Sequence, residues 1–157
     1  MAGRKSSKRD PALIPLSRDH RQSLALCVRL ARWKPESDEP PDLMAQEVRF
    51  QAEQILFPHF ELEESVLLPC VKPWLDESEA LLSEITEEHR QLREMLAQMA
   101  DRSGNADLSE SLKQFGRALE AHIRKEERTL FPLIESRVPE ETRSELQSRI
   151  EDAPNAS

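Results

Sequence analysis

The chain has 157 residues, enough for one domain with a substantial core. A third of its residues are charged and the net charge is −8, which excludes the basic face that non-specific nucleic-acid binding requires. Two cysteines are too few for a disulfide scaffold, and no apolar run approaches the roughly 18 residues of a membrane span. A cytoplasmic protein with neither a membrane nor a nucleic-acid partner is therefore expected. Three glycines, no tyrosine and an abundance of Leu, Glu, Arg and Ala favour helix over sheet.

In chain order, residues 1–12 are basic and polar at their start, lack the apolar stretch of a secretory leader, and read as a disordered tail. Ser17 caps a first helix from about Arg18 to Trp33, with Leu24, Cys27, Val28 and Ala31 on its inner face and His20 leading it. The proline-rich, acidic stretch from Lys34 to Pro41 is a loop. Asp42 caps a second helix running to about Leu68, whose face carries Ile55, Leu56, His59, Leu62, Glu63 and Val66. Pro58 lies inside it, so a kink or a break is expected there. Asp76 or Ser78 opens a third helix to about Asp101, burying Leu81, Leu82, Ile85, His89, Leu92, Leu96 and Met99. Ser103 to Ala106 form a tight connection, and Asp107 with Glu110 resembles a capping box. The fourth helix carries Leu112, Phe115, Leu119, His122, Ile123, Glu126 and Leu130, with Pro132 close to its end or kinking its last turn. Pro139 starts a short fifth helix to about Ile150, and 152–157 form a second disordered tail. Long amphipathic helices joined by short loops predict an all-α domain over 13–151. Its expected topology is an up-down-up-down antiparallel four-helix bundle with a short C-terminal fifth helix.

The chain is internally repetitive. His59-Phe60-Glu61-Leu62-Glu63-Glu64-Ser65-Val66-Leu67-Leu68-Pro69 returns as His122-Ile123-Arg124-Lys125-Glu126-Glu127-Arg128-Thr129-Leu130-Phe131-Pro132. The other two histidines repeat as well, His20 in Ser-Arg-Asp-His-Arg-Gln and His89 in Thr-Glu-Glu-His-Arg-Gln. This is a duplicated helix-turn-helix unit. Positions i and i+4 share a helix face, so His59 with Glu63, and His122 with Glu126, each aim an imidazole and a carboxylate the same way.

An isolated His-x-x-x-Glu pair is usually a surface contact, and a lone histidine on an apolar face is usually a satisfied core residue. Here all four histidines fall on apolar faces, one per long helix, and both glutamates follow at the same offset. Burying such a set is costly unless its members share a partner, and a metal supplies one. Imidazole and carboxylate without thiolate suit iron, manganese or zinc. Six ligands exceed one tetrahedral zinc and fit two ions, each with two histidines and an oxygen from each of two bridging glutamates. Glu64, Glu87, Glu88 and Glu127, beside the ligands, read first as a solvated acidic face, with hydrogen bonding to the imidazole N–H groups as the alternative. Trp33 and Trp74 read as packing residues. Neither Glu-x-x-His nor His-Glu-x-x-His is present.

The set His20, His59-x-x-x-Glu63, His89 and His122-x-x-x-Glu126, followed by Leu130-Phe131-Pro132, resembles the hemerythrin-like, HHE cation-binding family from about Leu16 to Arg137. The resemblance implies a bundle around two Fe ions, a non-haem centre bridged by two carboxylates and an oxo or hydroxo group. It also implies a small ligand (oxygen, peroxide or nitric oxide) and a redox partner protein. Oxygen-carrying members have a further histidine where this chain has Arg93. The four-histidine, two-glutamate set looks more like the repair-of-iron-centres proteins. The missing ligand opens a coordination position and favours peroxide, nitric oxide or iron-exchange chemistry, in stress response or iron-centre repair, over reversible oxygen carriage. The N-terminal cysteine-bearing extension of many repair proteins is not evident. The alternative is a non-catalytic module that senses or stores iron and acts through protein partners. Arg93 itself is expected either exposed or paired with Glu94, Glu88 or a site carboxylate.

Overall fold

The structure, a computed structural model, describes residues 8–100 and 106–153. Among them there is no strand, and five helical stretches follow one another. These are α1 (Ile14–Arg32), α2 (41–71), α3 (Glu79–Met99), α4 (106–137) and α5 (Glu140–Glu151). The connection expected at 103–106, save Ala106 itself, and most of both expected tails lie outside the described residues. No helix among the described residues is long and apolar enough to cross a membrane.

Helix α1 begins earlier than its sequence suggests. Ser17 is not its cap: the helix starts at Ile14 with Pro15 in its first turn, a place where the missing N–H costs nothing. Ser17 is buried inside the helix and its hydroxyl donates to Glu127 at 2.7 Å. The expected tail also ends sooner. Ala12 and Leu13 are buried, Arg9 bonds Glu127 and Glu135, and the Asp10 carboxylate pairs with Arg143 of α5. Charges on Arg9 and Asp10 that looked like a solvated arm are matched by acids and a base from the C-terminal half.

Prolines shape the two longest helices. Helix α2 passes through wide π turns at Ala52–Leu56 and Glu63–Leu67, and α4 through one at Glu126–Leu130. Each lies just before a proline: Pro58, Pro69 and Pro132. A proline lacks the N–H that an α-helix needs and collides with the carbonyl one turn back. The wider turn absorbs that collision, with the N–H groups of Phe57, Leu68 and Phe131 reaching back to the carbonyls of Ala52, Glu63 and Glu126. Of the kink or break expected at Pro58, the break does not occur: the helix is continuous, with an extra residue in one turn. Ala121 stands in α4 where Pro58 stands in α2, and there α4 stays regular from Ala106 to Lys125. Pro132 therefore does not end α4, which runs on to Arg137.

The extra residue in each π turn rotates the buried face. On α2, Phe60 and Leu67 are wholly buried, while Ile55 and Val66 are only half-buried. Val28 of α1 and Trp74 after α2 are exposed, against expectation; Trp33 is buried, its indole N–H donating to the Glu39 carbonyl at 2.8 Å. Helix α4 packs on α1, α2 and α3, and α1 also packs on α2. The α1–α4 contact is close: a Cβ on Gly116 would sit 3.2 Å from Leu30. Lys113 of α4 caps the end of α1 by donating to the carbonyls of Leu30 and Trp33 at 3.0 and 2.7 Å.

The apolar core forms two clusters. One contains Leu26, Leu30, Met44, Leu56, Phe60, Leu92, Phe115, Leu119 and Ile123. The other contains Leu13, Leu16, Leu67, Val71, Ile85, Leu130, Phe131 and Ile134, with Leu146 and Ile150 from α5. In all four long helices a buried polar layer lies between them.

Candidate metal centre

That layer is made of the six residues singled out by the repeat. His20 comes from α1, His59 and Glu63 from α2, His89 from α3, and His122 and Glu126 from α4. None is more than 3% exposed, and Glu63 and Glu126 are fully enclosed. They form two overlapping groups: His20, His59, Glu63 and Glu126, then Glu63, His89, His122 and Glu126. Within each group the ligating atoms lie within 4.8 Å of one another. Glu63 and Glu126 belong to both.

Local sequence explains the convergence. The i, i+4 spacing stacks each histidine over its glutamate, giving Nε2–carboxylate distances of 3.0 Å for both His59–Glu63 and His122–Glu126. The other carboxylate oxygens reach across the core, Glu63 to His89 Nε2 at 3.0 Å and Glu126 to His20 Nε2 at 2.9 Å. Each glutamate is the first residue of a π turn. Such turns often mark functional sites because they re-aim side chains without ending the helix.

Every imidazole turns its other nitrogen outward to a carboxylate. Glu127 accepts from His20 Nδ1 at 2.6 Å, Asp19 from His59 at 3.1 Å, Glu64 from His89 at 2.7 Å, and Glu88 from His122 at 2.7 Å. An ionised carboxylate can only accept, so each Nδ1 carries the proton and each Nε2 presents a lone pair inward. The expectation of a solvated acidic face therefore fails for Glu64, Glu88 and Glu127, and holds for Glu87, which pairs with exposed Arg90. Asp19 was missed. A signal existed, because an acid stands beside four of the six ligand positions: Asp19-His20, Glu63-Glu64, Glu88-His89 and Glu126-Glu127.

The interior leaves buried polar atoms unpaired. Both oxygens of Glu63 and of Glu126, with Nε2 of His89 and His122, have no hydrogen-bond partner despite their short contacts. With the ring proton on Nδ1, an Nε2 lone pair and a carboxylate oxygen are both acceptors, so nearness alone makes no hydrogen bond. His20 and His59 bring their Nε2 atoms within 3.1 Å, which two lone pairs do not tolerate alone. Buried acceptors so arranged need a cation among them. With protons as the sole cations, burial lowers the affinity of each imidazole for a proton, but the carboxylates outweigh it. His89 is pushed up to about 10 by Glu126 and Glu63, and His122 to about 9 by Glu126 and Glu88. His20 and His59 rise as well. Burial likewise disfavours the charge of Glu126, yet its contacts with Glu63, His122 and His20 hold it well below the usual carboxylate range.

Phenylalanines wall the layer. Phe60 stacks on His89 with ring centroids 4.0 Å apart, and Phe131 stacks on His20 at 5.5 Å. Arg93 enters no ligand position; it bonds Glu64 at 3.2 Å and lies over Phe60.

No curated protein and no solved structure matches the chain. Residues 80–151, just under half of the chain, match the family model described as Hemerythrin HHE cation binding domain. The matched span holds His89, His122 and Glu126, while the first half supplies His20, His59 and Glu63 to the same layer. With buried histidine and glutamate groups of the kind a cation needs, this segment of the chain is similar to the hemerythrin HHE cation-binding domain.

Proposed function

We propose that the chain is an up-down-up-down four-helix bundle that holds two metal ions, iron in the cell, and presents them to a small ligand: oxygen, peroxide or nitric oxide. The alternation of direction is supported by the two apolar clusters. Helix α1 runs from Leu16 in one cluster, past His20, to Leu26 in the other; α2 runs back from Leu56, past His59 and Glu63, to Leu67. Helices α3 and α4 repeat that reversal, from Ile85 to Leu92 and from Leu119 to Leu130.

One observation carries the metal reading: four inward lone pairs face two buried carboxylates that both groups share. His20 and His59 would hold one ion, His89 and His122 the other, and Glu63 and Glu126 would bridge them. The donor set excludes thiolate and suits iron, with zinc or manganese as substitutes. Two nitrogens and two oxygens per ion leave positions open for an exogenous ligand, and iron there supplies one-electron and oxygen chemistry. The chain's own part is to fix the tautomers through Asp19, Glu64, Glu88 and Glu127 and to wall the site with Phe60 and Phe131. Both cysteines are free thiols, which supports a reducing, cytoplasmic setting.

Elemental analysis of protein purified under defined iron supply tests this directly. About two irons per chain are expected, and the double variant Glu63→Ala, Glu126→Ala is expected to hold none. Full iron retention by that variant would defeat the assignment.

A further inference from the structure

Two arginines, one near each end of the ligand set, make the same pair of contacts. Arg93, on α3, donates to Glu64 at 3.2 Å and lies over the Phe60 ring at 5.3 Å. Glu64 holds His89 Nδ1, and Phe60 stacks on the same His89. Arg9, before α1, donates to Glu127 at 3.0 Å and lies over the Phe131 ring at 5.4 Å. Glu127 holds His20 Nδ1, and Phe131 stacks on the same His20. Each imidazole is thus held at its edge by a carboxylate and on its face by a ring, and one guanidinium grips both holders. Arg9 and Arg93 occupy no corresponding positions in the repeat, so the duplication does not account for the match.

We infer that Arg9 and Arg93 are positioning residues, each setting the orientation of one histidine and so tuning one of the two metal positions separately from the other. This rests on the two-ion reading above. His20 belongs with His59 and His89 with His122, so each arginine addresses a different ion. A planar guanidinium suits the task because it can donate to a carboxylate while lying flat on an aromatic face, which a lysine ammonium does less well. The two clamps differ in one respect. Arg93 shares with His89 the same oxygen of Glu64, whereas Arg9 binds the Glu127 oxygen that His20 leaves free. Arg9 is also fixed by Glu135 at 3.1 Å, so the stretch before α1 acts as a strap over the His20 side.

The test compares wild type with Arg9→Gln and Arg93→Gln, each loaded anaerobically with ferrous iron-57. Iron release to a coloured chelator is followed in time, and the Mössbauer spectrum is recorded before release. Loss of a hydrogen-bonded support behind a ligand commonly weakens metal binding about 10–100-fold. Acting one contact further out, each variant is expected to release one of its two irons about tenfold faster while the other keeps the wild-type rate. Each is expected to alter a different iron signal, with Arg93→Lys restoring the wild-type pattern in part. Glu64→Gln and Glu127→Gln, which keep side-chain shape, should reproduce the same selectivity if an arginine variant fails to fold. Wild type retaining two irons, with variants that release both at the wild-type rate, overturns this inference alone. So does equal acceleration of both irons in step with a fall in melting temperature, the mark of general loosening. A wild-type chain that retains no metal overturns the two-ion reading and this inference with it.

Discussion

Glu64 accepts the Nδ1 proton of His89 at 2.7 Å, tying the first half of the repeat to the second. Its counterpart Glu127, from the second half, does the same for His20 in the first, at 2.6 Å. Asp19 and Glu88 instead hold the histidine of their own half, His59 and His122. Two bonds within halves and two between them give the layer an approximate twofold pattern, so neither half completes the site alone.

Replacing these outer acids should loosen the metal without removing a ligand. Glu88→Gln and Asp19→Asn are each expected to lower metal affinity about 10–100-fold, since an amide no longer fixes the tautomer or raises ligand basicity. Competition with a chelator of known affinity measures this. Unchanged affinity in both variants would argue that the histidines are held by packing alone.

Stability of the metal-free protein should depend on pH in a set direction. His89 and His122 lie at about 10 and about 9 when folded, above their ordinary value of 6.5. A raised value in the folded state means that the stabilisation is fully present below 6.5 and lost as pH rises through the folded values. Denaturant midpoints of metal-free protein should therefore fall between about 6.5 and about 10. Metal affinity should rise over the same window, because bound cations displace those protons. Flat midpoints across that window would contradict the proton-filled description of the layer.

Gly116 lies where α1 and α4 pack closely. A Cβ there meets Leu30 at 3.2 Å, a gap that a small shift can open. Gly116→Ala gains up to about 1 kcal/mol of helix propensity and should come out near neutral. Gly116→Val adds branches that the same space does not hold, and is expected to destabilise by about 1–3 kcal/mol through overpacking. Thermal or denaturant unfolding of the two variants should separate them in that order; equal stability would show that the helices can part freely.

The two cysteines should react differently. Cys27 is buried and its thiol is pushed up to about 12, chiefly by burial, leaving almost no thiolate at neutral pH. Cys70 is half-buried and less protected. Alkylation of the native protein, read by mass spectrometry, should label Cys70 first and Cys27 only on unfolding. Early labelling of Cys27 would mean that the α1 face opens readily.

The repeat alone picked out His20, His59, Glu63, His89, His122 and Glu126, because helical spacing forces i and i+4 onto one side and six such residues have few other uses. It also set the helical class and the approximate helices, since patterning and composition act locally. Other features needed the fold. Which acid serves which histidine depends on atoms brought together across helices, so the adjacency of Asp19 to His20 and of Glu64 to Glu63 did not say that they hold His59 and His89. Phe60 and Leu67 are wholly buried because the π turns before Pro58 and Pro69 advance the helix by a residue, a phase change invisible to a fixed period. Arg9 and Arg93 resemble ordinary surface charges in sequence; only their placement over Phe131 and Phe60, beside acids from other helices, gives them work to do. Short-range spacing fixes which groups face inward, but the partners that hold them are chosen by long-range packing, where a one-residue change in helix phase decides what each side chain meets.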